Sequence, residues 1–574
     1  MKTEQICENC EHQRVPLKAE HKFQITAEDL DFYSKFTPVF NEKKYEIPLP
    51  TLCPDCRQQR RMAFCNERNL YPGTCDMCKK RILTEHPPQA KQPNFCRECW
   101  TSDKWDTRDY GRDFDFKRPF FEQFYELMRT VPMMALNTSG TIQNSDYIHY
   151  AGYSKNCYLI AHADYCENCL YGYGFKQNKS CVDGFYNLHD ELCYDCVDCH
   201  KSYGLKGCQD CQNCHSSTFL RDCTGCKNCF LCVGLKEKEY YFENEKLGKK
   251  AYEEKMSKID LGSYAQYQKF KNKRKEIEKP HHFKEFQGHN LQNSIGNYLY
   301  NSKDAYYCFD CEDVEGGRYC TQLVLGSKNN MDIYQYGTGL QQSYDSTICG
   351  DNSYHILFSH EIFINSLDMY YCTHAHTSKN CFGSTCLNHN QYLILNKQYS
   401  ESEYNELVPR IIEHMQKNGE WGHYFPIKYS LFGYNKTTAQ LWYPLKKEEA
   451  LAKGYNWDDY EPPVPDVDKK IHASKIPDNI NDIPDEILNW AIECEVTGRL
   501  FKITPAELKF YRMQRLPIPR RSPEQRHLDR FSLRNPRKFW PRKCDKCNKD
   551  IQTTYSPERG LSVYCEKCYL GAVY

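Results

Sequence analysis

Cysteine recurs along this chain at fixed intervals, and that periodicity limits the possible folds more than any other feature. Cys157, Cys169, Cys181 and Cys193 are each twelve residues apart. The step then becomes fifteen, through Cys193, Cys208 and Cys223, with Cys196, Cys211, Cys226 and Cys199, Cys214, Cys229 in parallel. Fixed periods this short mean stacked coils. The runs CYLI, CLYG, CVDG and CYDC are β-compatible and are separated by Asn, Asp, Gly and Ser turn residues, as a β-solenoid requires. Twelve residues at about 3.3 Å each give roughly 40 Å of chain, enough for one small coil or one side of a larger one.

The pattern returns more loosely through Cys308 and Cys320, and an ungapped offset of 152 lays residues 228–244 on 380–396. The expected fold is therefore multidomain and mainly β: a cysteine-rich β-solenoid in two halves, 141–244 and 291–400, with short helical segments. The first half leaves through a Lys- and Glu-rich stretch, 245–290, read as a solvated helical insertion. The second leaves through 401–454, where Leu407, Ile411, Ile412 and Met415 fall near helical spacing. Residues 106–140 read as a helical connector, and the Pro- and Asp-rich segment 455–490 as an extended linker.

Flanking the solenoid, residues 1–105 and 491–574 carry a different cysteine grammar. Cys7-x2-Cys10, Cys53-x2-Cys56, Cys75-x2-Cys78 and Cys96-x2-Cys99 stand near the start, and Cys544-x2-Cys547 with Cys565-x2-Cys568 near the end. A C-x2-C turn brings two thiolates to one ion, and two such turns complete the closed tetrahedral site of structural Zn2+. An offset of 469 carries Arg57, Arg61 and Arg68 onto Arg526, Arg530 and Arg537, so the two ends are copies. FQITAEDLDFY at 23–33 pairs with FKITPAELKFY at 501–511, each with a Thr followed three residues later by an acid, the signature of a capping box. In the C-terminal copy Cys10, Cys53 and Cys56 correspond to Thr497, Ser522 and Gln525, leaving Cys494 alone. Three zinc ions are expected, with that degenerate first site free of metal.

The stretch CENC, FQITAEDLDFYSKF and LPTLCPDCRQQRR resembles the probable zinc-ribbon family, with its C-x2-C, its F-x-[FI]-T…FY helix and its CPDCR knuckle. That resemblance covers about the first sixty residues and, in degenerate form, the last eighty. The whole arrangement resembles large zinc-ribbon proteins of candidate-phyla-radiation bacteria. It implies architecture and carries no activity with it.

With 26% charged and 40% apolar residues the chain is globular, and its formal net charge is zero. No run of eighteen apolar residues and no basic start followed by an apolar stretch is present, so neither a membrane partner nor a secretory signal is expected and the location is read as cytoplasmic. A reducing compartment turns cysteine pairs away from disulfides. For the triplets between Cys193 and Cys232 three readings stay open: a ladder of buried thiols, ligands of a further metal, or cross-coil disulfides.

No phosphate-binding loop, nucleophile elbow or metalloprotease motif is present, and Asp183, Asp195, Asp198 and Asp210 read as turn residues before they read as paired catalytic carboxylates. The expected role is binding. Residues 501–550 hold fifteen Lys and Arg against five Asp and Glu, so RNA or DNA is the first expected partner, met by Arg57, Arg61, Arg68, Arg526, Arg530 and Arg537. The alternatives are a protein partner on the solenoid surface, and a metal-thiolate redox or storage role for the central cysteines. Oligomeric state is not legible.

Overall fold

The computed structural model describes residues 3–10, 22–463 and 465–573. It is mainly β, with 33% strand and 24% helix. Its contacts group the chain into two compact units, and the grouping does not follow chain order. One unit joins Met1–Leu136 to Gln287–Tyr460, and the other joins Asn137–Phe286 to Glu461–Tyr574. The N-terminal ribbons thus belong with the second solenoid half, and the C-terminal ribbons with the first.

In the Asn137–Phe286 segment, successive coils pair in parallel at a spacing of twelve residues, from Asp146 with Tyr158 to Phe230 with Phe242. Twelve residues are therefore one complete turn. Every third residue lies in the left-handed region, including Asn144, Tyr147, Tyr150, Tyr153 and Asn156 at φ between 44° and 54°. Such a backbone costs of order 1 kcal/mol per non-glycine residue and persists only where its surroundings over-determine it. Here the ladder does so: Leu159 N–H donates to Asp146 C=O one coil back at 3.1 Å, and Asp146 N–H donates to Cys157 C=O one coil ahead at 3.1 Å.

A turn is thus four triplets, each sending one side chain inward. Cys157, Ile160, Ala163 and Cys166 fill one such layer and are all buried. The narrow interior favours small side chains with one donor to give. Cys157 Sγ lies 3.3 Å from Lys155 C=O and 3.5 Å from Cys166 C=O. Ser202 Oγ bonds His200 C=O at 3.0 Å, and Asn178 Nδ2 bonds Asn187 C=O at 2.9 Å.

The fifteen-residue step is not a second coil length. Gln209 still pairs with Arg221 and Gln212 with Thr224, twelve apart, so the three-cysteine motif moves one side around the shaft with every turn. In the second solenoid half the coils vary in length, as Gly288 pairs with Leu299, Gly296 with Cys308, and Met331 with Tyr344. Larger aliphatics share its interior, among them Leu299, Ile333, Ile356, Met369 and Leu393. Uneven coils with mixed cores explain why this half is the fainter repeat in the sequence.

One expectation needs correcting and two need refining. The segment 455–490 is not simply an extended linker: Lys469–His472 pairs in parallel with Trp490–Glu493, and Ile476, Ile480, Ile483 and Ile487 enter the core. Isoleucines at three- or four-residue intervals gave the Pro- and Asp-rich stretch an apolar face. The charged insertion forms helices Lys249–Met256 and Tyr264–Ile277, yet it is anchored by buried Tyr252, Tyr267 and Arg274. In the exit helix Glu401–Lys417 the buried stripe is Tyr404, Val408, Ile411, Ile412 and Met415, with Leu407 at its margin.

Candidate metal centres and the docked ribbon helices

Each four-cysteine group is built the same way, from a β-turn knuckle and the start of a helix. In the first, Cys7 and Cys10 follow strand Thr3–Ile6, and Cys53 is the N-cap of helix Pro54–Met62, with Cys56 in its first turn. Cys10 Sγ lies 3.4 Å from Cys53 Sγ and 3.8 Å from Cys56 Sγ. In the second, the hairpin of Tyr71–Thr74 and Arg81–Thr84 carries Cys75 and Cys78, and Cys96 opens helix Arg97–Trp100. The third repeats this with hairpin strands Trp540–Lys543 and Asp550–Thr553, and with Cys565 before helix Glu566–Val573. Cys78 to Cys96 and Cys547 to Cys565 are both 3.8 Å. A tetrahedron with metal–sulfur bonds of about 2.3 Å has edges of about 3.8 Å.

In all three groups the N–H of the third cysteine donates to the sulfur of the first: Cys53 to Cys7 at 3.2 Å, Cys96 to Cys75 at 3.3 Å, and Cys565 to Cys544 at 3.2 Å. Burial opposes ionisation of Cys75, but the N–H groups of Cys78, Cys96 and Met77 outweigh it and bring the thiol down to about 6. Cys544 is likewise at about 6, with burial overcome by the N–H groups of Cys565, Cys547 and Lys546. Their neighbours are driven the other way, Cys568 to about 12 by Cys565 and Cys547. Four sulfurs this close cannot all ionise unaided, and a cation relieves that conflict. The twelve cysteines expected to bind metal thus form three groups with ligand geometry.

The degenerate copy shows what remains when ligands are lost. Cys494 keeps its knuckle, with its N–H on Arg499 C=O at 2.9 Å, and the N–H groups of Ser522, Val496 and Thr497 with the Thr497 hydroxyl bring it down to about 7 against the effect of burial. Ser522 caps helix Pro523–Phe531 by accepting from Gln525 N–H at 3.3 Å. An ordinary N-cap has taken the place that Cys53 holds in the first copy.

The arginines expected to face nucleic acid point inward instead. Arg57 pairs with Asp332 at 2.8 Å, while Arg61 reaches Asp345 at 2.6 Å and Asp332 at 3.2 Å. Arg526 pairs with Asp183 at 3.1 Å and Glu507 at 3.1 Å, and Arg530 with Asp183 at 3.0 Å. All four are buried. Arg68 and Arg537 are half-buried, the latter with Nη2 at 3.5 Å from Tyr186 Oη. A guanidinium committed to a buried carboxylate has no fork left for phosphate. Within 501–550 Arg534 makes a further buried pair with Asp198, whereas Arg512 pairs with Asp485 and Arg521 with Glu495 and Asp529 nearer the surface.

The same contacts absorb the candidate acids, since Asp195 pairs with Lys271 and Asp210 with Arg221. Sequence reading missed Arg60, which reaches Asp345 at 2.6 Å, and the receiving pair Asp332 and Asp345. The available signal was an aspartate recurring one coil apart opposite arginines four apart on a helix.

The cysteines of the central triplets are buried. Every described cysteine is a free thiol, and among the described residues Cys193 to Cys232 contribute no group of three sulfurs within 4.8 Å of one another. Each sulfur instead serves a carbonyl, as Cys211 Sγ does for Gln209 C=O at 3.4 Å. One ligand-type group was not foreseen: His360, Glu361 and His374 offer ligand atoms that all lie within 4.8 Å. Burial holds His374 neutral, lowering it to about 4 although Glu361 pulls the other way.

Fold and site together define a cysteine-rich β-solenoid protein with three four-cysteine clusters whose geometry could hold metal ions. No protein-family model and no curated protein matches the sequence. Among solved structures, a chain named "putative acetyltransferase" from Desulfovibrio desulfuricans G20 aligns over 43% of this chain and 63% of its own length, at 10% identity and a TM-score of 0.10. At that score it has no bearing on fold or activity. The clusters are compatible with zinc-ribbon-like motifs, and no described helix is long and apolar enough to cross a membrane.

Proposed function

We propose that this chain is a zinc-dependent scaffold, in which three four-cysteine sites hold ribbons against a β-solenoid. The observation that carries this reading is the repeated geometry: sulfur separations of 3.4 to 3.8 Å, with an N–H···S bond from the third ligand to the first in every group. Zn2+ fits an all-thiolate tetrahedron, and its role there is to fold the ribbon. The test is metal content with X-ray absorption on protein purified anaerobically. About three sulfur-ligated zinc ions per chain are expected. Iron with a visible band, or zinc without sulfur ligands, would overturn the reading.

The open face of the first solenoid half favours a protein partner over RNA or DNA. Tyr153 and Tyr165 are exposed there and stacked at 4.7 Å. Asn144, Asn156 and Asn168 form an amide ladder beside them, with 3.4 and 3.0 Å bonds. Four of the six arginines that suggested nucleic-acid binding, Arg57, Arg61, Arg526 and Arg530, are committed to buried carboxylates. Partner capture that survives nuclease treatment and is lost in Tyr153→Ser/Tyr165→Ser supports the protein reading, and capture abolished by nuclease counts against it.

A further inference from the structure

We propose that His360, Glu361 and His374 form a second kind of metal centre: a buried site of two imidazoles and one carboxylate for a single first-row divalent cation. Its chemistry differs from that of the cysteine clusters, and it sits within the second solenoid half. Strand His360–Phe363 pairs in parallel with strand Thr373–His376, with His360 opposite Thr373. His374 therefore stands beside Glu361 one coil on, both in the left-handed conformation at φ 53° and 55°.

The spacing suits an ion better than it suits hydrogen bonds. His360 Nε2 lies 3.4 Å from one Glu361 oxygen, and His374 Nε2 lies 3.5 Å from the other. Good N–H···O bonds run from about 2.7 to 3.2 Å. Ligands at about 2.0 to 2.1 Å around a tetrahedral ion stand about 3.3 to 3.4 Å apart. The Nε2 atoms face Glu361 and are the candidate ligand atoms, while Nδ1 of each ring, on its other side, is buried and makes no hydrogen bond among the described residues. The side chains of His360 and Glu361 are only 5% and 4% exposed, and a buried carboxylate needs positive charge close by.

Imidazole and carboxylate together select a borderline ion such as Zn2+, Co2+ or Fe2+ over Ca2+ or Mg2+, which take mostly oxygen. Thr385 follows Thr373 in the ladder, placing Cys386, which lines a cleft of about 710 Å³ with Trp100, Trp105 and Asn388, one coil beyond His374.

The test uses the full-length chain grown with cobalt, comparing wild type with His360→Ala/His374→Ala and Glu361→Gln. Thiolate-bound cobalt absorbs strongly through charge transfer, and an imidazole–carboxylate site does not. Both variants should lose one equivalent of metal while the charge-transfer band per chain stays constant. Unchanged total metal would overturn the proposal. Should a variant lose the band as well, its fold has failed, and K-edge absorption on wild type decides. Roughly a quarter of the cobalt ligated by nitrogen and oxygen supports the site, and an all-sulfur spectrum removes it. The zinc reading of the ribbons fails on the sulfur count, and this one on the remainder, so the two outcomes are separable.

Discussion

Helix Pro54–Met62 and helix Pro523–Phe531 are docked in the same way but tethered differently. Each presents arginines four residues apart to two aspartates one coil apart: Arg57 and Arg61 to Asp332 and Asp345, and Arg526 and Arg530 to Asp183 and Asp195. The neighbouring helix repeats as well. Tyr33 meets Tyr344 edge-on at 5.4 Å, and Tyr511 meets Tyr194 edge-on at 5.8 Å. Thr26 with Asp29 and Thr504 with Glu507 form matching capping boxes. Only the first copy retains its four thiols. The shared element is therefore the arginine–aspartate joint, and the metal is an addition one copy can lose once the joint and an N-cap hold its helix.

Chelation should break that symmetry most severely. Structural zinc contributes on the order of 10 kcal/mol to a small ribbon's folding. A strong chelator should therefore free the amides of Pro54–Met62 to exchange while those of Pro523–Phe531 stay protected, read by hydrogen exchange. Equal protection in both helices would show that the joint alone suffices. Cutting the joint comes next. Removing one partner of a buried ion pair costs about 3 to 5 kcal/mol because the other charge stays buried. Arg61→Ala and Arg530→Ala should each lower the unfolding free energy by that amount, read as a lower denaturation midpoint, with RNA affinity at low salt unchanged. A variant that keeps its stability and loses RNA binding would return these arginines to the surface role.

The degenerate copy can be pushed back toward its twin. Cys494 still receives the N–H groups that a bound thiolate needs, so Thr497→Cys/Ser522→Cys/Gln525→Cys should raise sulfur-ligated metal by one equivalent per chain. No gain would mean that the knuckle and the helix N-terminus have drifted too far apart. Acid offers a milder probe. Burial works against the charge on Asp345, and Arg60 and Arg61 outweigh it, so its carboxyl lies below the ordinary range. With the folded-state value depressed, the stability it lends is complete above about pH 4 and is lost as pH falls through that lower value. Glu507 is raised, first by burial, with Arg526 opposing, so its contribution is present below its ordinary value and fades as pH rises through the higher one. Exchange in Pro54–Met62 should accelerate below about pH 4, whereas the Glu507 contribution changes in the opposite sense.

Local spacing made the clusters and the solenoid legible. C-x2-C pairs fix their own geometry, and a twelve-residue period survives in any sequence whose coils stack. The joint left only a faint trace of that kind, because Arg57 and Asp332 are distant in sequence and each looks like a surface charge. Without the joint, Arg526, Arg530 and Arg534 read as part of a basic patch when they are core residues. The fifteen-residue step misled for a related reason: a motif that advances one side per turn resembles a longer coil unless the pairing of Gln209 with Arg221 is known. His360, Glu361 and His374 come together only through strand register, which a single sequence does not display.

The smallest expected effect separates the two kinds of cysteine. The solenoid already places Ser154, Ser202 and Ser217 at inward positions, each bonding the carbonyl two residues back at 2.8 to 3.0 Å. Cys211→Ser keeps a donor for Gln209 C=O and loses only the fit of the larger sulfur, so it should cost about 1 kcal/mol and leave metal content unchanged. Cys544→Ser, in contrast, removes the sulfur that accepts from Cys565 N–H and should release an ion. If Cys211→Ser also lowers the metal count, the triplets are ligands after all, and the solenoid rather than its ribbons holds the metal chemistry.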